Sequence, residues 1–279
     1  MKILILGSSG VLGTALIRVC KINSLDFIAL NHNDIEATKK EELEAVIINH
    51  APTVIINCIA MVGINPCEEE MLKAFEVNTI IPYTLAQLCH EKNITFIHVS
   101  SHAVFDGESN NFYTEHDMYN PTNIYGMAKA SADTLVSNVC AKYYIFRVPT
   151  MFGERRNDAM GFVDKMIEFM EKKESISVAD DKIDTPTYSL DVATEMINVL
   201  MQGKSFGLYH IANRGRVSYY EFICKVKDIL GLQCDIKRAK DNDFEALAHK
   251  PLKTSMLSIK LNALRSWEEA LEDYLKGKK

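Results

Sequence analysis

The sequence predicts an α/β fold, a doubly wound parallel sheet of the Rossmann type with a smaller C-terminal α/β substrate lobe. Three observations predict it. The chain opens on a short continuous apolar run, Lys2–Leu6, as a parallel strand buried on both faces requires. A glycine-rich turn, Gly7-Ser8-Ser9-Gly10-Val11-Leu12-Gly13, follows at once and leads into an amphipathic segment. Strand and helix patterns then alternate to about residue 150, and successive parallel strands need right-handed crossovers.

Element by element, Leu12, Leu16, Val19 and Cys20 recur at helical spacing after the glycines. Residues 27–30 read as a second strand, and 41–49 as a helix with Leu43, Val46 and Ile47 facing inward. Residues 54–59 are a third buried strand, preceded by Pro52. Residues 72–92 form a long helical stretch that Pro82 should kink or turn, because proline lacks a backbone donor. Residues 95–99 are strand-like and lead into Ser100-Ser101; 128–142 are helical, and Tyr143–Val148 is a strand. Beyond Thr150 the pattern loosens. Helices at Phe162–Lys172, Ser189–Met201, Tyr219–Leu230 and Trp267–Leu275 are separated by short strands such as 175–178 and 208–211. This predicts a dinucleotide-binding domain over 1–150 and a mainly substrate-binding lobe over 151–279, with 185–203 packing back on the first.

Composition narrows the function classes. Of 279 residues, 47% are hydrophobic and 24% charged, which supplies an ordinary globular core. A net charge of −6, with no basic block beyond the Lys278-Lys279 tail, argues against a nucleic-acid partner. No run approaches the ~20 apolar residues that span a bilayer, and the N-terminal run stops at Gly7 without a signal-peptide cleavage site. The seven cysteines are odd in number and include no C-x-x-C pair. They read as reduced thiols of a cytoplasmic protein without a metal site.

The glycine turn carries the first chemistry. A tight turn needs glycine conformations, and a pyrophosphate needs close access to backbone N–H groups at a helix start. Gly7, Ser9, Gly10, Val11, Leu12 and Gly13 are therefore expected to hold a dinucleotide. An acid at the end of the second strand would bind the adenosine ribose and repel a 2′-phosphate. The chain has Asn31-His32-Asn33 there, with Asp34 and Ile35 placed to meet the adenine. NADP is the expected cofactor, with NAD possible and His32 near the phosphate.

Tyr125-Gly126-Met127-Ala128-Lys129 sets a phenol and an ammonium four residues apart at a helix start, so both can face one site. A nearby cation favours the phenolate, making the tyrosine a better proton donor or acceptor near neutral pH. Ser101, just past the fourth strand, is placed to hydrogen-bond a substrate oxygen.

Together these features resemble the extended short-chain dehydrogenase/reductase superfamily over nearly the whole chain. Gly7, Gly10 and Gly13 match its cofactor loop. Asn57-Cys58-Ile59-Ala60 resembles its N-x-A-A strand end, and the resemblance implies that Ile59, Ala60, Met61 and Val99 line the cofactor. Val77-Asn78-Thr79 carries the asparagine that in that family supports the active-site lysine through a water. With Ser101, Tyr125 and Lys129 it completes a catalytic tetrad, in which tyrosine and lysine also contact the cofactor.

Within the superfamily the chain looks most like the dTDP-4-dehydrorhamnose reductase group. Residues 100–107, S-S-H-A-V-F-D-G, resemble that group's S-T-D-Y-V-F-D-G; residues 180–187, D-D-K-I-D-T-P-T, resemble its D-D-Q-x-G-x-P-T. Tyr113-Thr114-Glu115, Pro121, the stretch 147–153, Lys250-Pro251 and 267–271 also match. The resemblance implies reduction of the 4-keto group of a nucleotide-linked deoxysugar in surface-polysaccharide synthesis. Three positions depart from it. His102 and Ala103 stand for Asp and Tyr, and Thr150 for a substrate-facing Trp. With Ser101 and Lys250 these are the expected substrate-binding residues, and the changes point to a different sugar nucleotide. His102 is read as a hydrogen-bonding or solvated residue, with an acid–base role as the alternative. Arg147 is either a phosphate partner or a structural ion-pair partner, and Asp180 and Asp181 form a solvated acidic turn. An epimerase or dehydratase that retains its cofactor is the rival reaction, and a non-catalytic dinucleotide-binding regulatory subunit the rival class. A homodimer through 72–92 and 128–142 is possible.

Overall fold

The computed structural model describes residues 1–156 and 160–278; Lys279 of the basic tail lies outside them. Six strands make the central sheet: β1 (Lys2–Leu6), β2 (Asp26–Leu30), β3 (Val54–Asn57), β4 (Thr95–Ser101), β5 (Tyr143–Val148) and β6 (Gly207–His210). They lie in the order β6-β5-β4-β3-β1-β2, every pair parallel. The order reverses between β1 and β3, which opens a crevice at the carboxyl ends of these strands. The register sets Leu6 beside Asn57, Asn57 beside His98 and Ser101 beside Val148, so the chain leaves each strand along one edge.

Alternation along each strand fills two cores. Ile3, Ile5, Ile56 and Ile97 face helices α1 (Val11–Ile22) and α6 (Ser189–Met201). Leu4, Leu6, Ile55 and Phe96 face α2 (Lys40–His50), α3 (Ile81–Glu91) and α4 (Ile124–Val139). Helix α6 thus packs on the central sheet, and the strand expected near 208–211 is the sheet's sixth strand. A third core joins Phe152 to α5 (Phe162–Lys172), α7 (Tyr219–Leu230) and α8 (Trp267–Leu275). There Ser175–Ala179 pairs in parallel with Asp235–Ala239. Capping boxes at Ser218/Glu221 and Ser266/Glu269 start α7 and α8.

Several boundaries differ from expectation for local reasons. β3 stops at Asn57, whose Oδ1 accepts the Ile59 N–H at 3.1 Å and bends the chain. β4 runs on to Ser101 because Ser100 and Ser101 still pair with Arg147 and Val148. Helix α4 starts four residues early, since Asn123 Oδ1 caps it by accepting the Gly126 N–H at 2.9 Å. Ahead of Pro82 lies a π-helical turn, Glu76–Ile80, between Met71–Phe75 and α3. The wider turn accommodates a residue that cannot donate to the preceding turn, and it carries Asn78, which is fully buried.

Among the described residues no helix is long and apolar enough to cross a membrane, and no cluster of three or more His, Cys, Asp or Glu could hold a metal ion. All seven cysteines are free. Lys278 pairs with Asp164 at 2.7 Å.

Candidate functional site

A cavity of about 840 Å³ occupies the crevice and extends from β1 and β2 toward α5 and α7. Its dinucleotide end is the 7–13 turn. Gly7 has φ +78°, and a Cβ there would lie 2.7 Å from the Cys58 carbonyl carbon. A Cβ on Gly13 would meet the Gly7 carbonyl oxygen at 2.5 Å, so both glycines are required by close approach. Helix α1 starts at Gly10 with no side-chain cap and no acid in its first turn. Its orphan N–H groups and partial positive charge face the cavity uncontested, which fits a pyrophosphate. The Arg156 N–H donates to the Ser9 carbonyl at 3.2 Å, tying the segment after β5 to this turn.

Ser9, Gly10, Val11, Leu12, Asn31, His32, Ile35, Ile59, Ala60 and Val99 all line the cavity, as do Ser101, His102, Ala103, Tyr125, Lys129 and Thr150. Four expected residues do not. Asp34 accepts the Asn31 N–H at 2.8 Å and so closes its own turn. In its place Glu36, Ala37 and Thr38 reach the cavity. Glu36 accepts the Thr38 hydroxyl at 2.8 Å, and the Thr38 side chain and backbone hold its carboxyl below the usual range. Met61 and Asn78 lie behind the wall and bind each other: Met61 N–H donates to Asn78 Oδ1 at 3.0 Å, and Asn78 Nδ2 to the Met61 carbonyl at 2.9 Å. Asn78 therefore braces the loop after β3 directly. Lys250 turns away to Asp241 (3.4 Å) and the Phe244 carbonyl (3.3 Å), leaving Pro251 at the cavity.

The catalytic candidates meet where β4 ends against the first turn of α4. A Cβ on Gly126 would lie 2.2 Å from the Ala103 carbonyl oxygen, so only glycine lets the helix approach the turn His102–Val104 this closely. Ser101 Oγ accepts the Ala103 N–H at 3.1 Å, and its hydroxyl faces the Tyr125 phenol. Burial pushes the Tyr125 pKa up, and the Ser101 hydroxyl offsets part of that. The expected help from Lys129 is absent, because its Nζ donates instead to the Val99 carbonyl at 2.6 Å. Burial pulls Lys129 down to about 8, against the opposing charge of Asp133. Asp133 in turn pairs with Arg147 at 2.9 Å, both almost fully buried. Arg147 also lies over the rings of Phe105 and Tyr119, 5.4 and 4.8 Å from their centroids. Arg147 is thus a structural partner of α4.

The remaining wall is made of side chains. His102 Nε2 lies 3.9 Å from Asp184 Oδ2. Burial lowers the His102 pKa, opposed by Asp184. Thr150 Oγ1 and the Tyr219 hydroxyl are 2.9 Å apart. Arg155, Phe162, Lys182 and Tyr219 complete this end; the sequence pointed to the 150–190 segment as touching the nucleotide but named none of these side chains. Lys182 stands inside the matched 180–187 motif and Tyr219 just after a Ser cap, which were the available signals. Asp180 is held by Lys240 (2.9 Å) and Arg238 (3.4 Å), and Asp181 accepts the Asp241 N–H at 2.8 Å.

The RmlD substrate binding domain family matches residues 1–279. The chain is 28% identical over 289 residues to the dTDP-4-dehydrorhamnose reductase of Aggregatibacter actinomycetemcomitans, covering 98% of this chain and 97% of that protein. Its fold superposes on the Clostridium acetobutylicum dTDP-4-dehydrorhamnose reductase with a TM-score of 0.94 at 27% identity, covering 100% and 99% of the two chains. The Bacillus anthracis reductase, solved in complex with NADP, gives a TM-score of 0.93 at 27% identity over 99% of both chains.

Proposed function

The chain belongs to the RmlD substrate binding domain family, and on that premise we propose that it reduces a keto group, at C4, of a nucleotide-linked deoxysugar for surface-polysaccharide synthesis. One observation carries this reading: Ser101, Tyr125 and Lys129 share one cavity with the uncapped 7–13 turn. The relatives' names, and the NADP in the Bacillus anthracis structure, support NADPH as reductant, with NADH possible.

When bound, the dinucleotide supplies the hydride. Gly7, Gly10 and Gly13 give its phosphates access to backbone donors. Lys129, anchored at Val99, presents its charge to the ribose side. Ser101 holds the carbonyl oxygen of the sugar. Tyr125 gives its proton to that oxygen as the alkoxide forms. Asn78 braces the loop carrying Ala60 and Met61 along the cofactor. His102, Ala103 and Thr150 meet the sugar. We place the enzyme in the cytoplasm, consistent with its seven free cysteines. A homodimer is supported by exposed Met71, Leu72, Ile80 and Met127 along the helical stretch and α4.

The deciding experiment is NADPH oxidation over dTDP-, GDP-, UDP- and CDP-linked 4-keto sugars. Turnover of one nucleotide class is expected. No turnover with any, together with co-purification of a partner enzyme, would replace this reading with the regulatory one.

A further inference from the structure

The sugar end holds a pair that hydride and proton transfer do not use. His102 follows Ser101 directly, and both line the cavity. Its Nε2 faces Asp184 at 3.9 Å. Its Nδ1 is sealed from the cavity without a hydrogen-bond partner, so the exposed edge of the ring is the one that carries Nε2. Asp184 is 1% exposed and fixed by two backbone donors, Thr150 N–H at 3.1 Å and Thr185 N–H at 2.8 Å. A carboxylate so held orients the imidazole in front of it.

Among the described residues Nε2 has no partner within hydrogen-bond distance, and a ligand that supplies one gains a net hydrogen bond. A hydroxyl both donates and accepts, so it satisfies Nε2 in either tautomer. The surrounding wall, with Thr150, Tyr219 and Lys182, is equally suited to an oxygenated sugar face. Both members depart from the reductase pattern quoted above, which has Asp at position 102 and Gly at 184. The carboxylate has moved to the opposite segment, and an imidazole stands in front of it.

We propose that His102 and Asp184 act as one specificity-determining pair that hydrogen-bonds a free hydroxyl on the sugar carbon next to the reacting carbonyl. This rests on the reductase reading. For a 4-keto-6-deoxyhexose that carbon is C3, because C5 bears no hydroxyl. The preferred substrates are therefore keto-sugar nucleotides that retain the C3 hydroxyl.

The test compares a 4-keto-6-deoxyhexose, on the nucleotide selected by the screen above, with its 3-deoxy analogue. A site that hydrogen-bonds a substrate hydroxyl discriminates strongly against the analogue lacking it, and about 10² in kcat/KM is expected here. His102→Leu and Asp184→Asn should each collapse that ratio below about tenfold, and the double variant should lose little more, as coupled residues do. His102→Asn, which keeps a side-chain donor and acceptor, should restore part of it. An unchanged ratio, additive losses, or proportional losses on both substrates would overturn the proposal while leaving the reductase reading intact. Absence of turnover with every keto sugar would remove the reductase reading and this proposal with it.

Discussion

At the dinucleotide end the cavity wall is mostly backbone, shaped by Gly7, Gly13 and the uncapped start of α1. At the sugar end it is side chains brought from four segments, with His102, Thr150, Lys182 and Tyr219 touching or facing one another. The first end suits any ligand with a pyrophosphate, since N–H groups carry no identity. The second end can change its ligand by exchanging side chains while the strands stay in register. The contrast separates what makes the protein a redox enzyme from what chooses its sugar, and each of the following measurements presses on that separation.

The largest effect should come from the junction of the two ends. Tyr125→Phe is expected to lower kcat by ~10²–10⁴, the usual loss for a positioned acid–base group, with a far smaller change in NADPH affinity measured by fluorescence titration. If cofactor binding fell in parallel, the two ends would not be separable. Next is the buried support of α4. Arg147→Met takes the nearest cation from the buried Asp133, a loss of one partner that typically costs about 3–5 kcal/mol, read as a lower denaturation midpoint. Asp133→Leu combined with Arg147→Met should recover much of that loss.

The third effect is a pH profile. Lys129 is held down to about 8 by burial, so its ammonium is lost as pH rises past that value, and kcat/KM should fall there. Asp133 opposes the depression, so Asp133→Asn should move the fall to lower pH. The sign for stability is opposite: between about 8 and the ordinary 10.5 the unfolded chain binds a proton that the folded chain does not, so this group's contribution rises with pH. The smallest effect is at Lys250. Its pairing with Asp241, away from the cavity wall, predicts that Lys250→Ala changes KM by less than about threefold. A larger change would extend the sugar end to that residue.

What was legible in the sequence was local. The 7–13 turn and the 125–129 spacing encode backbone geometry and helix facing within a few residues, so both could be read without tertiary information. The bounds of α5 to α8 followed from apolar periodicity in the same way. The start of α4 did not, because it rests on one Asn123 side chain capping Gly126. Asp34 was the nearest acid after β2, yet it closes its own turn and the chain returns Glu36 to the cavity. Lys182, Tyr219, Phe162 and Arg155 are remote in sequence from the tetrad, and only the packing of the C-terminal core against the sheet edge makes them neighbours. Lys129 turning to Val99 instead of assisting Tyr125 is a rotamer choice, which spacing does not encode.

The close seat of Gly126 on the Ala103 carbonyl has a consequence for redesign. The proton donor and the residues that choose the sugar hang on opposite sides of one backbone contact with no slack in it. Grafting a bulkier specificity sequence at 102–103 will therefore tilt the phenol as well as reshape the pocket, and retargeted variants should show reduced turnover even on the sugars they bind best. Recovering speed will call for second changes in the first turn of α4, away from the sugar itself.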